Sequence, residues 1–225
     1  MDIDWEPFLL TLKLAAVTTL ILTCLGIPLS YWLAFSRFKI RHVVEAIVSL
    51  PLILPPSVLG FYLLIAFSPQ SLVGSFIDRH FDVRLAFTFE GLVIASVIYS
   101  LPFMIQPILN GFKMLPSSMF EASYTLGKSA FTTLVRVLLP NMKPALITGI
   151  ILAFAHTVGE FGVVLMVGGN IPGETRVVSI ALYDQVEALQ YDRANTYALT
   201  LLLFAFLTLS VIYFIHYKNR INHHT

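Results

Sequence analysis

Residues 121–140 read EASYTLGKSAFTTLVRVLLP, and this stretch decides which fold the chain adopts. Its part ASYTLGKS, residues 122–129, is close in spelling to a P-loop, which would indicate nucleotide binding. A P-loop needs a buried strand before its glycines, so that the turn can cradle phosphate at the start of the next helix. The preceding residues, LPSSMFEA, do not read as a strand, and no later acidic residue ends an apolar strand to hold magnesium. We therefore reject the P-loop interpretation.

The same stretch predicts two helices joined by a glycine. Ser118 and Glu121 have the spacing of a capping box, which predicts that a short helix begins there. Gly127 follows in the position where glycine commonly ends a helix. Apolar residues at helical spacing then predict a second, amphipathic helix: Phe131, Leu134, Val135 and Leu138. Taken alone, this elbow could be a surface helix at a membrane interface.

The composition of the whole chain is that of an integral membrane protein. Of the 225 residues, 57% are hydrophobic and 12% are charged, whereas a soluble domain carries about 25% charged residues. The net charge of +1 argues against nucleic acid as a partner. Cys24 is the single cysteine, which excludes an internal disulfide. The acidic start MDIDWE does not have the positive charge of a cleavable signal peptide.

Five apolar stretches are long enough to cross the membrane, whose hydrocarbon core is about 30 Å thick. They cover about residues 8–35, 43–67, 91–112, 145–167 and 196–217. Lipid requires every backbone polar group to be paired within the protein, so these spans are predicted to be helices. The chain is therefore expected to be one all-α transmembrane domain over residues 1–225.

The charges between the spans predict the orientation, because basic residues accumulate on the cytoplasmic side. Nine basic residues fall on one side: Arg37, Lys39, Arg41, Lys113, Lys128, Arg136, Lys143, Lys218 and Arg220. The other side has four, namely Arg79, Arg84, Arg176 and Arg193. It also holds most of the acids: Asp2, Asp4, Glu6, Asp78, Asp82, Glu90, Glu174, Asp184, Glu187 and Asp192. The amino terminus is thus predicted outside, and the carboxyl terminus and the loop of about 113–144 inside.

The full pattern of the elbow resembles the "EAA" loop of ABC importer permeases. Glu121-Ala122 begins the pattern, Gly127 follows six residues after Glu121, and Leu139-Pro140 closes it. Val137 stands where isoleucine is usual, and Ser123 replaces the alanine of the third position. The resemblance implies a type I ABC importer permease fold, with the family core at about 9–213 and a cytoplasmic coupling helix.

The resemblance implies that the short helix docks on a separate ATPase subunit and transmits the movement of that subunit to the spans. The residues expected to take part are Phe120, Glu121, Ala122, Tyr124, Leu126, Gly127, Leu139 and Pro140. Gly127 is predicted to allow a close-packed turn that a side chain would obstruct. Glu121 is predicted to lie at the helix start, where the helix dipole favours a negative charge.

Two groups of residues are candidates for a path or gate. Pro55 and Pro56 lie with Pro51 inside span two, where they predict either a packing kink or a break that exposes backbone to substrate. Gln106 and Asn110 are four apart in span three. They either bond to a neighbouring helix or line a hydrated path.

Span four carries His156 and Glu160, also four apart, beside Gly159 and Gly162. Ionisable groups inside a span are costly and are therefore functional candidates. A metal site lacks third and fourth ligands, so none is predicted. A proton relay remains an alternative to a structural role in which Glu160 accepts hydrogen bonds.

The stretch 159–162, GEFG, is similar to a signature of permeases for tetrahedral oxyanions. GNIP at 169–172 is similar to sulfate, molybdate and tungstate permeases, and GETR at 173–176 most resembles the molybdate branch. The middles of the spans carry no Lys or Arg. This suits a path that releases a dianion, with Ser57, Gln106 and Thr157 as neutral donors.

The resemblance implies a multi-pass permease of the bacterial inner membrane that imports molybdate or tungstate. Its expected partners are a second copy of the chain, two cytoplasmic ABC ATPase subunits that bind ATP-Mg, an extracytoplasmic oxyanion-binding protein and membrane lipid. No cofactor on this chain and no covalent chemistry are expected. A sulfate or thiosulfate permease, a stand-alone proton-coupled transporter and, less favoured, an intramembrane enzyme are the alternatives.

Overall fold

The computed structural model describes the backbone of residues 4–222 and the side chains of residues 4–214. All regular elements in this part of the chain are helical. The longer helices are α1 (Glu6–Phe35), α2 (Ile40–Ser49), α3 (Pro56–Phe67), α4 (Leu72–Phe81), α5 (Phe89–Met114), α6 (Ser117–Thr125), α9 (Lys143–Val158), α11 (Val178–Glu187) and α12 (Tyr191–Asn222). Short pieces complete the set: α7 (Ala130–Thr133), a π-helical turn (Leu134–Leu138), α8 (Leu139–Asn141), α10 (Gly162–Gly168) and a 3₁₀ turn (Leu50–Leu52).

Within the described residues, three helices are long and apolar enough to cross a membrane: α1, α5 and α12. Two bent helix pairs could each serve as one further span, which gives up to five. The pair Ile40–Leu52 and Pro56–Phe67 bends by 111°, and the pair Ala130–Asn141 and Lys143–Val158 bends by 82°. The predicted number of five is the upper end of this range, but the second bent pair begins at Ala130, in the loop predicted to be cytoplasmic, and so does not coincide with the predicted span 145–167.

The fourth predicted span, 145–167, is not a single helix. Helix α9 ends at Val158 and α10 begins at Gly162, so residues 159–161 interrupt it. Gly159 lowers the helical preference at this point, and the backbone of Phe161 leaves the helical region. The second predicted span is likewise divided, because residues 53–55 separate the 3₁₀ turn from α3. Pro55 there has an extended backbone, which fits the predicted break by proline.

Helices α1, α5 and α9 pack closely, and small residues allow them to do so. A Cβ atom on Gly111 of α5 would lie 2.6 Å from the Cβ of Ala145 in α9. One on Gly26 of α1 would lie 2.9 Å from Cγ of Met104. Met104 itself is fully buried, in a core shared by these three helices. Glycine at these positions therefore sets the spacing of the bundle.

The carboxyl ends of α1 and α5 meet at one end of the bundle, where Phe35 and Phe112 have ring centroids 5.8 Å apart. Helices α1 and α5 therefore run in the same direction, as expected for spans one and three of the predicted topology. At the opposite end, the Thr11 hydroxyl of α1 accepts a hydrogen bond from the backbone N–H of Val178, at 2.8 Å. Of the charges used to predict orientation, Asp2 lies outside the described residues and Lys218 and Arg220 lie outside the described side chains.

Candidate coupling elbow and candidate path

Helix α6 begins one residue after a proline and has no capping box. Its N-cap is Pro116, and no side chain caps the helix start. Ser118 is the second helical residue and Glu121 the fifth, so neither lies where the sequence predicts. Proline before a helix fixes its own backbone and suits an extended N-cap position. The predictions of a capping box and of Glu121 at the helix start are therefore wrong.

The end of α6 is a Schellman turn around Gly127, which confirms the predicted glycine stop. The N–H of Gly127 donates to the carbonyl of Tyr124 at 2.9 Å, and the N–H of Lys128 donates to the carbonyl of Ser123 at 3.1 Å. Gly127 has a φ of +68°, which an L side chain disfavours. A Cβ built there meets nothing within 4 Å. The prediction of a close-packed turn is therefore wrong, and glycine is needed for its backbone angle alone.

The second arm of the elbow is helical but irregular. The Ser129 hydroxyl caps α7 by accepting from the N–H of Thr132 at 3.2 Å. The π-helical turn follows, and it changes which residues share a face. Leu138 is buried, whereas Phe131 is 75% exposed. The predicted single apolar face is therefore only partly correct.

A pair of buried hydroxyls joins the two arms. Ser123 of α6 and Thr133 of α7 have their side-chain oxygens 2.7 Å apart. The Thr133 hydroxyl donates to the carbonyl of Ser129 at 3.0 Å, so the hydrogen bond between the pair is donated by Ser123. Serine at the third position of the motif, where the family has alanine, thus has a partner in this chain.

The elbow has an exposed face and an inner face. Glu121, Ala122, Tyr124, Leu126 and Pro140 are exposed, with Leu126 exposed by 73%. Leu139 is half-buried in the core beneath. Phe120 is also half-buried, and its ring points toward the spans. The candidate coupling residues are thus divided between two faces.

The two helix breaks lie side by side. A Cβ on Gly162, at the start of α10, would lie 2.8 Å from the Cβ of Pro56, at the start of α3. A Cβ on Gly60 would lie 2.8 Å from the Cβ of Met166. Two short helices in such contact hold the ends of the interrupted spans together.

Beside the breaks is a cavity of about 520 Å³. Its lining is Pro56, Ser57, Tyr99, Ala155, His156, Gly159, Glu160, Phe161 and Gly162. Three of the candidate path residues, Pro56, Ser57 and Glu160, therefore meet there, although they are distant in sequence. The remaining candidates, Pro55, Gln106, Asn110 and Thr157, are not among the described residues that line this cavity.

Glu160 is 3% exposed, and the Ser96 hydroxyl lies beside its carboxyl group. Its backbone carbonyl accepts from the Ser179 hydroxyl of α11 at 2.6 Å, which fixes the main chain at the break. Ser96 is the donor that the predicted hydrogen bond to the Glu160 side chain would use. In the part of the chain that the structure describes, no three His, Cys, Asp or Glu side chains gather as a metal site.

His156 is held by one hydrogen bond and two aromatic rings. Ser100 lies 2.9 Å from its Nδ1 and 3.0 Å from the Thr157 hydroxyl. Thr157 donates its own proton to the carbonyl of Ala153, so Ser100 donates to Thr157 and accepts from Nδ1–H of His156. The Phe103 ring stacks on the imidazole with centroids 3.8 Å apart. Thr157 is thus a packing residue that orients His156.

The two polar residues of span three, Gln106 and Asn110, lie in different surroundings. The side-chain amide of Gln106 donates to the Ser49 hydroxyl at 2.8 Å, which ties α5 to α2. Asn110 is exposed one turn further along. For Gln106, the packing alternative of the sequence analysis is the one that this contact favours.

Sequence reasoning missed how the loop after α10 is held. Asp184 of α11 accepts from the amide of Asn170 at 2.9 and 2.8 Å and from the Arg176 guanidinium at 2.7 Å. The Thr175 hydroxyl donates to the carbonyl of Gly168 at 2.7 Å. Asn170 and Arg176 belong to the GNIP and GETR stretches. These stretches were the sequence feature from which the contact could have been predicted. Their polar side chains fold the loop back on α11.

Comparison with known proteins agrees with this architecture. Residues 26–220 match the family described as "Binding-protein-dependent transport system inner membrane component". The chain therefore belongs to this family and is a multi-pass permease of the inner membrane. The predicted all-α permease fold and the predicted family are confirmed.

Within the family, the chain is similar to molybdenum and sulfate transport permeases. It is 47% identical over 210 residues to the molybdenum transport system permease protein ModB of Azotobacter vinelandii, which covers 93% of each chain. It is 32% identical over 215 residues to the probable sulfate transport system permease protein cysT of Nephroselmis olivacea, covering 96% of this chain and 75% of that one. A structure of the MetNI methionine ABC transporter in inward facing conformations matches 94% of this chain and 93% of that chain, with a TM-score of 0.66 and 17% identity. That likeness concerns the fold.

Proposed function

We propose that this chain is the permease subunit of an ABC importer for molybdate, with tungstate as a second cargo. The observation that carries the proposal is the 47% identity to the Azotobacter ModB protein along 93% of both chains. The cysT relatives make sulfate or thiosulfate the second candidate cargo, and the one above is 32% identical. All four oxyanions are tetrahedral dianions, so the cargo depends on small differences in size and hydrogen bonding.

The proposed assembly contains two copies of this chain, two ATPase subunits that bind ATP-Mg, and an oxyanion-binding protein on the outer side. The exposed apolar side chains of α3, namely Phe61, Tyr62 and Ile65, support the presence of a second copy. An exposed apolar face of this kind suits a two-fold interface, in which the same surface is used twice. This chain itself carries no cofactor and performs no covalent chemistry.

The proposed ATPase contact is the exposed face of the elbow. Tyr124 and Leu126 present apolar surface at the end of α6, and Pro140 lies at the far end of the second arm, in α8. The Schellman turn at Gly127 holds the two arms at a fixed angle. A stiff elbow can transfer a displacement of one arm to the other without bending.

The proposed path passes the cavity between the helix breaks. Of the described residues, those that line the cavity include neither Lys nor Arg. A dianion there would not be held by a fixed ion pair; the Ser57 hydroxyl is a neutral donor on this lining, which also includes the Glu160 carboxyl. Pro55, Gln106, Asn110 and Thr157 remain proposals for supporting positions along this path.

The test is uptake by the complete complex in liposomes, with the ATPase and binding protein present. ATP-dependent accumulation of molybdate, competed by tungstate and weakly by sulfate, is the expected result. Competition in which sulfate is the strongest would favour the sulfate alternative. Uptake driven by a proton gradient, without ATP and without the ATPase, would overturn the ABC assignment and support the proton-coupled transporter.

A further inference from the structure

A cluster of four aromatic rings connects the elbow to the spans. Phe120 of α6 meets Phe35 at the end of α1, with ring centroids 4.5 Å apart and a T-shaped arrangement. Phe35 in turn lies 5.8 Å from Phe112 of α5 and 5.1 Å from Tyr31 of α1. Tyr31 and Phe112 close the cluster at 5.7 Å.

The cluster has a rigid side and a movable side. Phe112 is fully buried in the core of α1, α5 and α9, so its position is set by the bundle. Phe120 is only half-buried and comes from a short helix outside the bundle. Edge-to-face aromatic pairs contribute about 0.5–1.5 kcal/mol beyond burial, and their geometry is directional. A shift of α6 therefore acts first on the end of α1.

The position of Phe120 on α6 separates it from the exposed residues of the same helix. Leu126 is 73% exposed and available to a partner, whereas Tyr124, although 52% exposed, interacts through its side chain with Tyr31 of the ring cluster. The Phe120 ring is turned toward Phe35 and cannot offer the same surface to a second protein. Ser123, also on the inner face, is occupied by Thr133.

We propose that Phe120 is a positioning residue that transmits movement of the elbow to α1 through Phe35, and that it is not a docking contact for the ATPase. This inference rests on the proposed function, because it requires an ATPase that moves the elbow. It divides the coupling residues into a docking position, Leu126, and a transmission pair, Phe120 and Phe35.

The experiment compares Phe120→Ala with Leu126→Ala in the complete complex. For Phe120→Ala we expect pull-down of the ATPase at the wild-type level and continued ATP hydrolysis, with molybdate uptake per ATP reduced about ten-fold, within the range typical of coupling free energies. Leu126→Ala is expected to weaken pull-down itself. Phe38→Ala, which removes an exposed ring (72%) from the loop after α1, is the matched control and should change neither quantity.

Two further variants keep the test decisive. Phe120→Leu retains apolar volume and should restore part of the coupling, even if the alanine variant folds poorly. Phe35→Ala should reproduce the defect, and the double variant should be no worse than either single one, because both remove the same contact. Loss of ATPase pull-down in a folded Phe120→Leu variant, or unchanged uptake per ATP in Phe120→Ala, would overturn the inference. A wild-type complex without ATP-driven uptake would instead overturn the proposed function.

Discussion

The elbow and the helix breaks differ in how far apart in sequence their determinants lie. In the elbow, Pro116 precedes α6, Gly127 ends it and Ser129 starts the next arm, so each signal acts within a few residues. At the breaks, the close contact joins Pro56 to Gly162, and the cavity adds Tyr99 from a third helix. A locally determined element can tolerate changes elsewhere in the chain, whereas an element built from distant contacts depends on the whole bundle.

The largest effect is expected where two distant helices touch. Gly162→Leu places a side chain against the Pro56 ring, which is rigid, and α3 and α10 must move apart. Overpacking of this kind costs about 1–3 kcal/mol, and we expect a lower thermal midpoint together with loss of uptake. Gly159→Ala is the comparison for stability, since its Cβ would meet only carbonyl oxygens at 3.7 Å or beyond. If both variants melted at the same temperature, close packing of the breaks would be excluded as the cause.

A smaller effect is expected for Glu160→Gln, which tests whether the cavity is functional or merely a packing defect. The carboxyl is buried, so removing its ionisable character should stabilise the fold. If the group serves transport, stabilisation by about 1 kcal/mol should be accompanied by a roughly five-fold slower uptake. Thr18→Val is the control, because its buried hydroxyl on α1 has no hydrogen-bond partner and does not line the cavity. Unchanged uptake in Glu160→Gln would remove Glu160 from the path.

Gly127→Ala tests the elbow, whose structure is determined by residues close together in sequence. Alanine meets no atom at this site but must adopt a φ of +68°, which costs about 1 kcal/mol. We expect ATPase pull-down to weaken about five-fold while the thermal stability of the spans is unchanged. Gly127→Asn, which tolerates this conformation better, should recover most of the binding. A crowded turn, by contrast, would make asparagine worse than alanine.

The smallest effect is expected for the hydroxyl pair of the elbow. Ser123→Ala restores the family residue but leaves the Thr133 oxygen without its donor, although the bond from Thr133 to the Ser129 carbonyl remains. The net loss should be about 0.5–1 kcal/mol. A double-mutant cycle with Thr133→Val, read by thermal melting, measures this term. Additive losses would show that the two hydroxyls do not interact.

The sequence predicted the elements whose signals are local or continuous. The long apolar runs correspond to α1 and α5, and the glycine stop at Gly127 was placed correctly. The start of α6 was predicted two residues late, because the Ser118–Glu121 spacing competes with Pro116 and the proline determines the boundary. A proline fixes the backbone directly, whereas a capping box contributes only side-chain hydrogen bonds.

The parts that sequence reasoning missed depend on contacts between distant residues. Nothing near Phe120 indicates that its ring faces inward, since the receiving ring belongs to α1. The interruption after Val158 depends on how Pro56 and Ser179 hold the chain there, so an apolar run alone predicts a continuous helix. Asn170 and Arg176 bond to Asp184 on the following helix, and nothing in the sequence around Asp184 indicates this contact.

The folding back of the outer loop on Asp184 has a consequence for association rates. Ordering a backbone residue costs about 1–2 kcal/mol of conformational entropy, and the bonds from Asn170 and Arg176 to Asp184 have already ordered this loop within the chain. In the proposed assembly, an oxyanion-binding protein that docked on this side would meet a loop that is already ordered. Its encounter can be governed by diffusion and surface charge, without a waiting time for the loop to take shape.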